Sequence, residues 1–277
     1  MFPMLPAEAT LTAAAQALGR HALPWFFAVL LVALVAIGLI GRALLRHTRQ
    51  GGRTGPTSAA GLVLRFGLGF AVIVVAALFF AVLAEAIEAH KLLGRLDLVF
   101  SAAIRQGTSA GAVQVFAWLT HLGDPATLTV LGAVVALALL LRGERTLALT
   151  WVAALAGNAA LNRVLKSVFE RVRPIHDNAV AFADGWSFPS GHASGSVVAY
   201  GMLAYVLIRT LPRAWHLPAL LLATAIAFVT GCSRVFLQVH YATDVAAGFA
   251  SGTAWLVTCI ASLEMARHYR QGDRRAM

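Results

Sequence analysis

Apolar stretches of about twenty residues recur from one end of this chain to the other, parted by short segments that carry arginine. Nothing else in the sequence restricts the fold so tightly. A run of ~20 apolar residues matches the thickness of a bilayer's hydrocarbon core, and a helix satisfies its own backbone hydrogen bonds there. Mean hydropathy is +0.76, with 59% hydrophobic and only 12% charged residues, so no soluble domain of useful size is left over. The expected fold is all-α, a polytopic transmembrane helix bundle. Seven spans fit, near 23–45, 62–89, 125–142, 146–168, 190–211, 216–235 and 238–264.

The formal charge of +10 would suit a nucleic-acid partner. The arginines, however, sit in short loops beside apolar runs, which is the pattern of a membrane chain and argues against nucleic acid. Arg42, Arg46, Arg49 and Arg53 follow the first span, Arg142 and Arg145 the third, and Arg209 and Arg213 the fifth. Arg267, Arg270, Arg274 and Arg275 lie in the tail. With seven spans all four groups fall on one side, which is then cytoplasmic, and the amino terminus lies outside. The first run is too long for a signal-peptide core and is expected to stay as an anchor. Three parts follow: an anchor with its arginine-rich loop (1–61), a six-span core (62–264) and a basic cytoplasmic tail (265–277). Within the core, residues 90–124 mix apolar and polar side chains as helices lying in the outer interface do. Cys232 and Cys259 belong to opposite ends of their spans, far beyond the ~7 Å a disulfide allows, and are expected to be packing residues.

Three short polar motifs interrupt the apolar background. They run from Lys166 through Arg173-Pro174, over Pro189-Ser190-Gly191-His192, and from Ser233-Arg234 through His240 to Asp244. A charged side chain at bilayer depth costs about 3 kcal/mol, so such a group is read first as function. His240 and Asp244 are four apart and would share a helix face. A carboxylate there can accept the imidazole Nδ1–H and leave Nε2 as a lone-pair nucleophile. Ser190-Gly191-His192 opens a span, where free backbone N–H groups and the positive helix end seat phosphate oxygens. His192 in that turn can protonate a leaving oxygen. Lys166, Arg173 and Arg234 fall near outer span ends; singly each would be a snorkelling cation. Together, the three patterns arise by chance on the order of once in ten million chains, which points to a phosphate-transfer site.

At these residues the chain resembles the type 2 phosphatidic acid phosphatases, the metal-independent lipid phosphate phosphatases. Lys-x6-Arg-Pro, Pro-Ser-Gly-His and Ser-Arg-x5-His-x3-Asp all occur in order, and Trp118 through Gly123-Asp124 also looks like bacterial members. The resemblance implies that His240 forms a phosphohistidine, Asp244 orients it, and His192 protonates the leaving oxygen and then activates water. It implies that Lys166, Arg173, Ser190, the Gly191 N–H and Arg234 hold the phosphoryl oxygens, with no metal and no cofactor. A two-metal site would need several converging carboxylates, and only Asp177, Asp184 and Asp244 lie near the motifs in sequence. The seven remaining histidines, His121 and His176 among them, lack ligand spacing and are expected in loops or at the interface. Asn162 and Arg163 are expected to support Lys166 and Arg171 to be an interfacial cation; for His176 and Asp177, just past Arg173-Pro174, contact with the headgroup is the lesser reading beside an ordinary loop position.

The expected partners are a lipid phosphate substrate and membrane lipids, and the expected place is a bacterial inner membrane with the site facing outward. Undecaprenyl diphosphate ranks first among substrates by resemblance. Phosphatidic acid, phosphatidylglycerol phosphate and lipid A phosphates stand as alternatives, because the motifs grip only the phosphoryl group. Two other classes compete: vanadate-dependent haloperoxidases, which share these phosphate ligands but are soluble, and a non-catalytic lipid-phosphate receptor or transporter.

Overall fold

Each of the seven apolar segments forms a helix. The structure, a computed structural model, describes residues 6–50, 59–87, 91–174 and 184–276, all helix, turn or loop. The helices are α1 (Pro6–Arg20), α2 (Ala22–Gln50), α3 (Ala59–Ala86), α4 (Leu92–Gly107), α5 (Ala110–Leu119), α6 (Pro125–Leu141), α7 (Arg145–Phe169), α8 (Gly191–Thr210), α9 (His216–Phe236) and α10 (Ala242–Ala276). Short 3-10 turns cover Thr120–Gly123 and Arg213–Trp215.

Among the described residues five segments are long and apolar enough to cross a membrane, within α2, α3, α8, α9 and α10. Residues 110–123 with α6 make a sixth if taken as one span, bent by 41° where Pro125 opens α6. The fourth expected span, α7, is 25 residues long but is not in that set. Asn158, Asn162, Arg163 and Lys166 lower its hydropathy, and two of these turn out to serve the site. Residues 91–124 form the expected short helices, α4 and α5, with Leu98, Val115 and Trp118 exposed and Ile104 and Phe116 buried.

α8 is the central post, packed against α7, α9 and α10. Small residues let α10 close on it. A Cβ at Gly252 would lie 2.8 Å from the Ser194 carbonyl, and one at Gly248 2.6 Å from the Ser190 carbonyl. Two apolar clusters lie on either side of this seam. One joins Phe26, Phe116 and Phe236, with Phe116 and Phe236 stacked at 4.2 Å. The other gathers Trp151, Met202, Leu263 and Cys259. Cys232 borders the first and Cys259 belongs to the second; both are free thiols filling space.

α1 was not foreseen. It lies on α4, where a Cβ at Gly19 would come 2.7 Å from the Phe100 carbonyl, and Glu8 pairs with Arg95 at 3.0 Å. Its one-sided pattern of Leu and Ala is too short to read as a span.

Candidate active site

Chain reversal between α9 and α10 brings His240 beside Asp244. α9 ends at Phe236, Gln238 turns with φ +58°, and the N–H groups of Val239 and His240 both donate to the Arg234 carbonyl. His240 therefore precedes α10 instead of lying on it, which corrects the expectation of one shared helix face; only Asp244 is in the first helical turn. The four-residue spacing still brings them together, with His240 Nδ1 3.4 Å from Asp244 Oδ2. Both are buried.

The neighbours decide the imidazole tautomer. Arg173 Nη1 lies 3.0 Å from His240 Nε2, and a guanidinium can only donate, so Nε2 carries the lone pair. The proton then sits on Nδ1, facing Asp244 and the Ser187 hydroxyl at 3.3 Å. Burial holds the His240 pKa down at about 3, with Asp244 opposing and Arg173 and Lys166 adding to the depression. At neutral pH the ring is an uncharged base with Nε2 presented to a ring of cations.

Those cations converge from three elements. Lys166, near the end of α7, donates to the Trp186 carbonyl, which also accepts from Arg173 Nη2 at 3.1 Å. Arg173 further binds the carbonyls of Gly185 and Val239, at 2.9 and 2.7 Å. A cavity of about 360 Å³ opens here, lined by Val172, Arg173, Gly185 and Trp186. Arg234 is buried; its Nη1 donates to Thr120 at 2.8 Å, and its Nε has no hydrogen-bond partner among the described residues. An orphaned guanidinium N–H at this depth suits an anion.

Ser190 caps α8, its hydroxyl accepting from the Ala193 N–H at 3.4 Å, and its own N–H donates to the Asp244 carbonyl at 2.9 Å. That bond ties the first turn of α8 to the first turn of α10. At Gly191 a Cβ would press on the Asn162 amide, 3.1 Å from its oxygen. Asn162 also donates to Ser194 at 3.3 Å, so it braces this turn instead of Lys166, as expected from sequence, and Arg163 is exposed.

His192 has a carboxylate of its own. Its Nε2 lies 2.9 Å from Asp124 Oδ1, and Asp124 Oδ2 lies 2.6 Å from His121 Nδ1. Asp124 stands at the break before α6, 68 positions from His192, so spacing alone did not reveal it. Gly123 beside it leaves room for the ring.

Arg171 is the main correction. It is no interfacial cation: its side chain is 11% exposed and bridges Asp244 at 2.5 Å and Asp97 at 2.9 Å. Asp97 and Asp124 thus join Asp244 near the motifs, where sequence order had offered only Asp177, Asp184 and Asp244. The Asp184 carbonyl accepts from Arg173 at 3.0 Å, while His176 and Asp177 lie outside the described residues. Among those described, no three His, Cys, Asp or Glu side chains cluster as a metal would require. All eight residues singled out from sequence gather at one end of the bundle.

Known proteins are similar to this chain in sequence and fold. A family profile described as the PAP2 superfamily matches residues 147–267. Phosphatidylglycerophosphatase B of Bacillus subtilis (strain 168) is 33% identical over 184 residues, covering 63% of this chain and 86% of that protein. The fold is also similar to a crystal structure of a transmembrane PAP2 type phosphatidylglycerolphosphate phosphatase from Bacillus subtilis. There the TM-score is 0.63 at 31% identity, over 68% of this chain and 93% of that one.

Proposed function

The chain belongs to the PAP2 superfamily, and from that premise we propose that this membrane lipid phosphatase hydrolyses phosphatidylglycerol phosphate. The observation that carries the chemistry is the His240 Nε2 lone pair held 3.0 Å from Arg173 inside a cationic pocket. The lipid comes from the two Bacillus subtilis relatives, whose names state that substrate. Undecaprenyl diphosphate, ranked first from sequence, has no such support and moves to second place.

The reaction runs in two displacements. Entering phosphate draws Arg173 off Nε2 and onto a phosphoryl oxygen, joining Lys166, Arg234, the Ser190 hydroxyl and the Gly191 N–H. His240 Nε2 attacks phosphorus as the P–O bond to the lipid breaks, and His192 gives its proton to the departing oxygen. Asp244 offsets the charge that appears on the His240 ring. Water then attacks the phosphohistidine, His192 takes the water's proton, and inorganic phosphate leaves with His240 restored. Cations and a helix terminus meet the charge of the transferring group, as metal ions do elsewhere.

We place this catalytic unit in residues 62–264, with its mouth on the outer face of a bacterial inner membrane, as the arginine distribution supports. The deciding experiment is phosphate release by purified protein from phosphatidylglycerol phosphate, phosphatidic acid, undecaprenyl diphosphate and a lipid A phosphate, side by side. The highest kcat/KM is expected on phosphatidylglycerol phosphate. A clear preference for undecaprenyl diphosphate would reverse the ranking, and binding without turnover would leave a receptor.

A further inference from the structure

Asp244 has two oxygens and they are divided between different partners. Oδ2 faces His240 Nδ1 at 3.4 Å and accepts from the Ser187 hydroxyl at 2.5 Å and the Tyr241 N–H at 2.9 Å. Oδ1 is taken by Arg171 Nη1 at 2.5 Å. The same guanidinium donates through Nη1 to the Thr243 hydroxyl at 2.8 Å and through Nη2 to Asp97 Oδ2 at 2.9 Å. Its carbon lies 4.3 Å above the Tyr241 ring, its carbonyl accepts the Ser187 N–H at 2.7 Å, and Thr243 also donates to Asp97. Asp97 is 5% exposed, on a helix that holds no motif residue.

We propose that Arg171 and Asp97 are positioning residues for the nucleophile: Arg171 holds one oxygen of Asp244 so that the other meets His240, and Asp97 fixes Arg171 from α4. The proposal rests on the phosphohistidine reading above. A guanidinium suits the task because its planar fork reaches two carboxylates at once, which an ammonium cannot do with fixed geometry. Burial raises the Asp97 pKa, against Thr243 and Arg171, so this carboxylate needs its partners to stay charged. Burial also works against the charge of Arg171, and Asp244 and Asp97 outweigh it. Without Arg171, Oδ1 of Asp244 would lose its partner, leaving only the Ser187 and Tyr241 bonds to hold the carboxylate, and more of its charge would fall on the imidazole.

The charged groups around His240 are Lys166 of α7, Arg171 and Arg173 of the following segment, Arg234 of α9, Asp244 of α10 and, through Arg171, Asp97 of α4. Of these charged groups, Arg171 is the one that bonds to Asp244 while leaving the phosphate pocket alone. Removing its charge lets His240 take a proton at higher pH, and a protonated His240 cannot attack.

The test is steady-state kinetics of the full-length protein in detergent on one lipid phosphate, together with trapping of the phosphoenzyme. Arg171→Gln should lower kcat by about ten- to a hundredfold with KM within about threefold, and the loss should be greater near pH ~5 than near pH ~7. Arg171→Lys keeps the charge without the fork, so it should keep the wild-type pH profile at reduced kcat. Asp97→Asn should cost less, and adding it to Arg171→Gln should cost almost nothing more, since both act through one contact. Losses that are additive, independent of pH and parallel to the thermal midpoint would overturn the proposal. Failure of the wild-type protein to form a phosphoenzyme would overturn the phosphohistidine reading and the proposal together. A normal wild-type phosphoenzyme beside indifferent variants would overturn the proposal alone.

Discussion

At the scale of single residues, two histidines in one pocket have different partners. His240 presents its Nε2 lone pair to Arg173, while His192 Nε2 lies against the Asp124 carboxylate. His240→Ala should abolish turnover and phosphoenzyme formation together. Asp124→Asn should slow hydrolysis of a lipid phosphate at least tenfold, yet slow nitrophenyl phosphate far less, because a good leaving group needs little protonation. Equal losses on both substrates would show that Asp124 serves folding alone. The depressed pKa of His240 also has a sign for stability. Below pH 6.5 the unfolded imidazole binds a proton that the folded one refuses until about 3, so stability falls as pH drops through that window. The midpoint of thermal unfolding should fall more steeply with acidification in wild type than in His240→Gln; matching slopes would mean that His240 charges within the fold. All eight motif residues could be singled out from sequence because each motif is local. Arg171 was not: its partner Asp97 is 74 positions away, and nothing between them signals that α4 folds back over the site.

Elements enter through their close crossings. α10 reaches α8 closely because Gly248 and Gly252 present no side chain, and the Gly248 contact is with the Ser190 carbonyl at the start of α8. Gly248→Ala should cost about 1–3 kcal/mol through overpacking and lower kcat as the turn shifts. Gly67→Ala in α3, with nothing within 4 Å, should be neutral or stabilise by up to about 1 kcal/mol. If Gly248→Ala matched Gly67→Ala in unfolding and turnover, the crossing would be looser than drawn. Hydropathy located the spanning helices well, since a ~20-residue apolar run has few other uses. It placed α7 as an ordinary span and missed its role as the polar wall, because Asn158 and Asn162 find their partner, Ser194, only when α8 packs alongside.

For the molecule as a whole, α1 and α2 are built into the bundle and do more than anchor it. Phe26 of α2 meets Phe116, Phe228 and Phe236 at 5.3–5.7 Å, immediately behind the loop that carries His240. Phe26→Ala should destabilise the protein by about 3–5 kcal/mol, read as a lower thermal midpoint in detergent, while KM stays unchanged. A negligible shift would return α2 to the role of a simple tether. A reporter fused after Met277 should read cytoplasmic and a tag before α1 should be accessible from outside; both ends on one side would invert half of the topology. The positive-inside pattern is the ground for that orientation, whereas the packing of α1 on α4 depends on Gly19 and Gly107, which no hydropathy pattern marks.

The central claim is a metal-free phosphohistidine at His240. Rapid quenching of the protein with radiolabelled lipid phosphate in excess EDTA should trap an acid-labile, alkali-stable phosphoenzyme on the peptide that contains His240, and His240→Ala should trap none. A label on another residue, or no covalent intermediate unless magnesium is restored, would contradict the account.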